Sequence, residues 1–357
     1  MSADYDLLIV GAGPAGLAAA LAAAPSGARI ALVDDNPAAG GQIWRDGPRA
    51  SLPPRAHQMR QRLAGQANVE HFPATRVVAC GPGRRLVLED PQRGWQVGYR
   101  RLVLCTGARE LLLPFPGWTL PGVTGAGGLQ ALAKGGLPLA GQRLVVAGSG
   151  PLLLASAASA SQCGARLLRV AEQAPARTLA AFAVRLPRWP GKLWQAAGLF
   201  ARSYRADSYV LAALGEERLE AVRLREGGRV REIACERLAC GFGLVPNVQL
   251  GQALGYRLDG PALAVDEWQA GSLPDHYAAG ECTGFGGSEL ALVEGTIAGH
   301  AGWTEAKLHS RCGMGACQGR ICGSAAQFLF GWTPPAPRPP FSPARLETLA
   351  CWQGDAG

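Results

Sequence analysis

An α/β fold built from two strand–glycine turn–helix–strand units is predicted from three observations. A short apolar run, Tyr5–Val10, leads into Gly11-Ala12-Gly13-Pro14-Ala15-Gly16. The layout recurs where Leu144–Ala147 leads into Gly148-Ser149-Gly150-Pro151. The third observation is bulk: 357 residues, 48% of them hydrophobic and 17% charged, are enough for about two to three domains with buried cores.

In the first unit the glycine turn opens an alanine-rich helix to about Ala24. A second strand, Arg29–Val33, then ends in Asp34-Asp35. Gly11 permits the tight turn, Gly13 lets backbone approach a pyrophosphate, and Gly16 lets the helix pack close on the strand. Pro14 and Ala15 begin the helix, whose free N–H groups and dipole favour an anion. Asp34 stands 23 residues after Gly11, where a carboxylate can take ribose hydroxyls. Dinucleotide binding is the expected role; a glycine turn that packs without ligand is the plain alternative.

The second unit runs through a helix to about Cys163 and a strand Arg166–Ala171, ending at Glu172. Its third glycine is replaced by Leu153. A leucine there is expected to push the helix off the strand and to crowd a pyrophosphate. The unit therefore reads as a dinucleotide domain in shape, with NAD(P) not expected in it. Between the units, Leu102-Val103-Leu104-Cys105 is a buried strand ending in Thr106-Gly107-Ala108. Near residue 280 a strand runs into Gly280-Glu281 and a glycine loop that ends at Gly287, where a helix to about His300 starts with a bare N-terminus.

Composition narrows the function classes. The apolar content excludes a disordered chain, and the 49 glycines carry no three-residue period, which excludes collagen. The longest apolar stretch, near Gly16–Ala24, is broken by Pro25-Ser26-Gly27, so no membrane span is expected. The fold signal begins at Tyr5, leaving no room for a signal peptide. The expectation is a cytoplasmic chain, associated with a membrane only through partners. The net charge of +8 is scattered, with neither a basic run nor a stacked aromatic series, so nucleic acid is not an expected partner.

In their order, these signals resemble the two-dinucleotide-domain flavoproteins of the pyridine nucleotide–disulfide oxidoreductase superfamily. The resemblance covers about residues 5–300. It implies FAD on the first glycine turn, with Thr106-Gly107 bordering the site. Gly280-Glu281 matches a Gly-Asp pair that touches the ribityl chain and phosphate. It also implies that the second unit is inserted in the first: a FAD-binding domain at 1–118 and 243–302, and a degenerate NAD(P)-binding-like domain at 119–242. The redox cysteine pair of the superfamily is missing, which excludes disulfide reduction.

A narrower likeness rests on Gly40-Gly41-Gln42-Ile43-Trp44-Arg45, on Gly241-Phe242-Gly243-Leu244-Val245-Pro246-Asn247, on Gly280–Gly287 and on Arg311–Gly323. These resemble the α subunits of D-hydroxyproline, proline and opine dehydrogenases and the matching subunit of hydrogen cyanide synthase. The likeness implies an electron-relaying subunit with no substrate pocket of its own; a stand-alone NAD(P)H-dependent flavoprotein reductase and a nucleotide-binding scaffold subunit are the alternatives. A β subunit with its own FAD would oxidise the amino or imino acid. The family also implies FMN at a subunit contact and a small iron–sulfur γ subunit.

In that family four cysteines hold a [2Fe–2S] cluster. Here the CxC half is absent, and Cys312, Cys317 and Cys322 remain in a cysteine-rich segment at 303–332. Three readings stay open: a structural remnant, a cluster completed by a partner or by Cys282, or a different metal. Trp189–Trp194 reads as core or as a partner-facing loop. The tail, 333–357, begins Thr-Pro-Pro-Ala-Pro-Arg-Pro-Pro, an extended arm rather than a helix.

Overall fold

In the computed structural model, the described residues are 3–42, 44–48, 52–183, 203–265 and 269–284. Gly287, Cys312, Cys317, Cys322, the Trp189–Trp194 loop and the proline-rich tail lie outside them.

The chain forms two units, one of residues 1–46, 51–109 and 245–357, the other of 47–50 and 110–244. The first opens with β1 (Ala3–Val10), α1 (Pro14–Ala23), β2 (Ile30–Val33), α2 (Pro54–Ala64) and β3 (Val69–Phe72). An antiparallel meander follows: β4 (Arg76–Gly81), β5 (Arg85–Glu89) and the long β6 (Gly94–Leu104). The chain leaves this unit along β7 (Ala108–Glu110). In the second unit come β8 (Val123–Gly125), α3 (Ala126–Lys134), β9 (Arg143–Gly148), α4 (Pro151–Gln162), β10 (Arg166–Glu172), α5 (Ala176–Ala183) and β11 (Tyr204–Arg205). An antiparallel sheet of β12 (Ser208–Leu214), β13 (Ala221–Glu226) and β14 (Arg229–Ala234) precedes β15 (Arg237–Gly241). The return strand β16 (Leu244–Pro246) pairs with β7. The chain then forms α6 (Gln249–Leu254), β17 (Leu258–Asp259), β18 (Ala262–Leu263) and β19 (His276–Ala278).

The first unit's main sheet has the order β3-β2-β1-β6-β5-β4, with β19 on β6. Its central strands are covered on both faces, which is why β2 and the Leu7–Val10 stretch of β1 are continuously apolar. The pleat sends Leu8 and Val10 into one core layer with Leu102 and Leu104. Ile9 goes to the opposite layer, with Leu17, Ile30 and Leu32 under α1. Each such fully buried side chain contributes roughly 1.5–3 kcal/mol. Pro14 at the first helical position fixes the start of α1, and a left-handed Gly27 comes after its last turn.

The second unit repeats the plan as a parallel sheet, β11-β10-β9-β15-β8. Leu144 and Val146 face one core layer, Val145 and Ala147 the other. The first boundary, expected at 118/119, falls at 109/110. The reason is packing: Phe115 and Leu120 lie against the core of Leu219, Val222 and Leu238, and Ala213 N–H donates to Pro116 O at 2.9 Å. The other, expected at 242/243, falls at 244/245. Leu153 does not stand off the sheet. It is fully buried, and Gly241 at the end of β15 leaves it room.

Candidate functional site

Register levels the carboxyl ends of the first unit's strands. Phe72 pairs with Val33, Val33 with Val10, Val10 with Leu104, and Leu104 with Ala278. β1 lies between β2 and β6, so the connections diverge on either side of it, and the crevice beyond such a switch point is where open α/β sheets take ligands. A cleft of about 660 Å³ lies there.

Most residues singled out in the sequence converge on this cleft. Gly11, Gly13, Pro14, Ala15, Asp34, Asp35, Gly41, Gln42, Thr106, Gly107, Gly280 and Glu281 all line it. Gly16 lies beneath it: a Cβ there would come 1.7 Å from Gly11 O, so its role is helix–strand packing. Gly11, at φ +103°, sits so close to Cys105 O that a Cβ would be 2.1 Å away. Gly13 differs. A Cβ there would meet only Gly41 Cα, at 3.9 Å, and would otherwise project into open space. Gly40 N–H donates to Ala12 O at 2.7 Å and brings the Gly41–Gln42 wall onto the turn.

The N-terminus of α1 has no side-chain cap and no acid in its first turn. Backbone donors and the helix dipole there are left for an anion. At the β2 end, Asp34 is 6% exposed and binds its own chain. One carboxylate oxygen accepts from Ala12 N–H; the other accepts from Asn36 N and Nδ2, each at 2.7 Å. Asp35 is exposed at the rim. Desolvation of its carboxyl, then the Asp34 charge, push it above the ordinary carboxylate range. At the opposite end, Gly280 adopts φ +85° and lies against Ala15, which places Glu281 at the cleft.

Sequence reasoning missed Asn36, Thr75, Arg76, Asn247 and Gln249, which also line the cleft. Asn247 closes a motif already singled out, so a signal for it existed. Asn36 directly follows the two acids, Gln249 comes two residues after Asn247, and Thr75 and Arg76 meet the site where Thr75 N–H donates to Asp34 O at 2.8 Å.

In the second unit the acid that ends the second strand of the motif also binds its own chain. Glu172, 1% exposed, accepts from Gly150 N–H at 3.0 Å, Ala174 N–H at 2.9 Å and Tyr204 OH at 3.3 Å. Glu110 accepts from Gly127 and Gly128 N–H, at 2.7 and 2.9 Å, in the first turn of α3. Glu172 thus binds its own glycine turn much as Asp34 binds Ala12 in the first unit, and α4, like α1, begins with no side-chain cap and no acid in its first turn.

The cysteines with described surroundings are core residues. Cys80, Cys105, Cys163, Cys235, Cys240 and Cys282 are free thiols, and burial raises Cys105, Cys235 and Cys240 to about 12. Cys282, one of the two sources considered for a fourth cluster ligand, is fully buried. Its thiol donates to Leu104 O at 3.3 Å, and burial raises its pKa too. Both observations place this thiol in the core beside β6. Among the described residues no group of three His, Cys, Asp or Glu could hold a metal ion, and no helix is long and apolar enough to cross a membrane.

A glycine turn under a bare helix N-terminus, joined to a second unit of the same plan, defines a two-dinucleotide-domain oxidoreductase. The chain belongs to the pyridine nucleotide-disulphide oxidoreductase family, whose model matches residues 5–302. It is 32% identical to hydrogen cyanide synthase subunit HcnB of Pseudomonas protegens, over 82% of this chain and 68% of that protein. It is also 32% identical to an opine oxidase subunit of Agrobacterium tumefaciens, over 87% of this chain and 67% of that one. The solved L-proline dehydrogenase of P. horikoshii shares the fold, with a TM-score of 0.67 and 16% identity, over 98% of this chain and 80% of that chain.

Proposed function

We propose that this chain is the FAD-holding α subunit of a multi-subunit dehydrogenase acting on an amino or imino acid of the D-hydroxyproline, proline or opine type. In this reading it passes on electrons released on a separate catalytic β subunit. The observation that carries the reading is the contrast between the two units. The first presents an open cleft with unclaimed backbone donors at the N-terminus of α1. The second carries Leu153 in place of the third glycine of its turn. In this reading the chain holds one nucleotide and receives its electrons from elsewhere. That these relatives are named as subunits supports a partner chain as the source.

FAD, when bound, supplies two-electron oxidation–reduction chemistry. The chain's own groups fit that ligand. Gly13 and Gly41, facing each other, leave a side-chain-free cradle for the pyrophosphate, and α1 offers it positive partial charge. Asp34 and Asp35 serve the ribose at the β2 end. Thr106, Gly107, Gly280 and Glu281 serve the part beyond the pyrophosphate.

Purification of the native complex tests this, with subunits and chromophores identified by mass spectrometry and absorbance. The expected result is FAD on this chain and a second flavin-bearing subunit. A chain that purifies alone as an active NAD(P)H-oxidising flavoprotein overturns the proposal.

A further inference from the structure

We propose that Asn247 is a positioning residue for the dinucleotide cleft, setting the wall that receives the part of the ligand beyond the pyrophosphate. This rests on the reading of the cleft as a FAD site. Asn247 lines the cleft just after the chain has returned from the second unit. It faces Thr106 and Gly107, which come after β6. Asp34 comes after β2, and Gly11, after β1, lies between them. Asn247 therefore stands at the end of the cleft opposite to the acids.

The wall is tied together by reciprocal bonds. Asn247 N–H donates to Gly107 O at 2.9 Å, and Asn247 Nδ2 donates to Thr106 O at 2.8 Å. Thr106 Oγ1 donates to Asn247 O at 2.5 Å. Arg109 Nη1 donates to Asn247 Oδ1 at 3.1 Å, which orients the amide so that Nδ2 faces Thr106. Gly107 adopts φ +65° with nothing within 4 Å of a Cβ, so no side chain of its own fixes the turn. The amide of Asn247 fixes it instead, across 141 residues of sequence. No aspartate substitutes for it: a second carboxylate oxygen would confront the Thr106 carbonyl with no proton between them.

Nucleotide-stripped wild type, Asn247→Asp, Asn247→Ser and Arg109→Met test the assignment. FAD and ADP are titrated into each by calorimetry, and the melting temperature of each stripped protein is recorded. The expected result is a loss of FAD affinity of about tenfold or more in Asn247→Asp and Asn247→Ser, and a smaller loss in Arg109→Met. ADP, which reaches only the adenine half and the pyrophosphate, should bind each variant within about twofold of wild type. A merely structural residue would weaken both ligands in step with the fall in melting temperature, and that result overturns the assignment. So does unchanged FAD binding. Wild type that binds ADP but not FAD overturns instead the reading on which the assignment rests, and the assignment with it.

Discussion

Leu153 fills the space that a side chain on Gly241 would need: a Cβ at 241 would lie 2.9 Å from Leu153 Cδ2. The third glycine of a dinucleotide turn has been lost from the helix, and a glycine at the end of the neighbouring strand makes room for the larger residue. Gly241→Ala should cost about 1–3 kcal/mol through overpacking, and Leu153→Ala about 2–5 kcal/mol through a cavity. The double variant should be more stable than the sum of the two losses, because each change relieves the other. Urea denaturation of the stripped protein reads this cycle; strict additivity would contradict the contact.

Gly13 and Gly16 are three residues apart in the same turn and should fail in different ways. Gly13→Val should fold normally and lose FAD, since its side chain enters open cleft at a negative φ of −66°. Gly16→Val should not fold, because its Cβ would strike Gly11 O. Circular dichroism with flavin content separates them. A Gly13→Val protein that keeps its flavin would remove the pyrophosphate assignment.

Asp35 carries a raised carboxyl, so folding favours its protonated form. Stability is lost as pH rises from the ordinary carboxylate range through the raised value, where the unfolded chain has already released the proton. Asp35→Asn should therefore melt higher than wild type at neutral pH when stripped of nucleotide. The gain should shrink as pH falls through the acid range. A gain independent of pH would point to a cause other than charge.

Glu172 holds three donors in a buried place. Glu172→Ala leaves Gly150 N–H, Ala174 N–H and Tyr204 OH without this acceptor, at about 1–3 kcal/mol for each group left buried and unpaired. The second unit should lose stability while FAD binding to the first is kept. Loss of FAD in step with stability would mean that the two units do not separate functionally.

Features set by local backbone demands were legible in the sequence. Gly11 is required by a positive φ and a close carbonyl, Gly16 by helix–strand contact, and Asp34 by the end of an apolar run; each is a constraint within one unit of chain. Glu110 was not legible, because its partners Gly127 and Gly128 become neighbours only when α3 is in place. The fit of Leu153 against Gly241 was also hidden, since 88 residues separate a substitution from its compensation. Arg76 reaches the cleft only because the neighbouring Thr75 N–H donates to Asp34 O, 41 residues earlier in the chain.

In the proposed function this chain takes its electrons from a partner subunit rather than from NAD(P)H. The most direct test is the anaerobic absorbance of the flavin-loaded chain, first with NADH or NADPH, then with the β subunit plus its amino or imino acid. The account predicts no bleaching by either nicotinamide and bleaching by the amino or imino acid only when the partner is present. Rapid bleaching of the isolated chain by NADH or NADPH would contradict it.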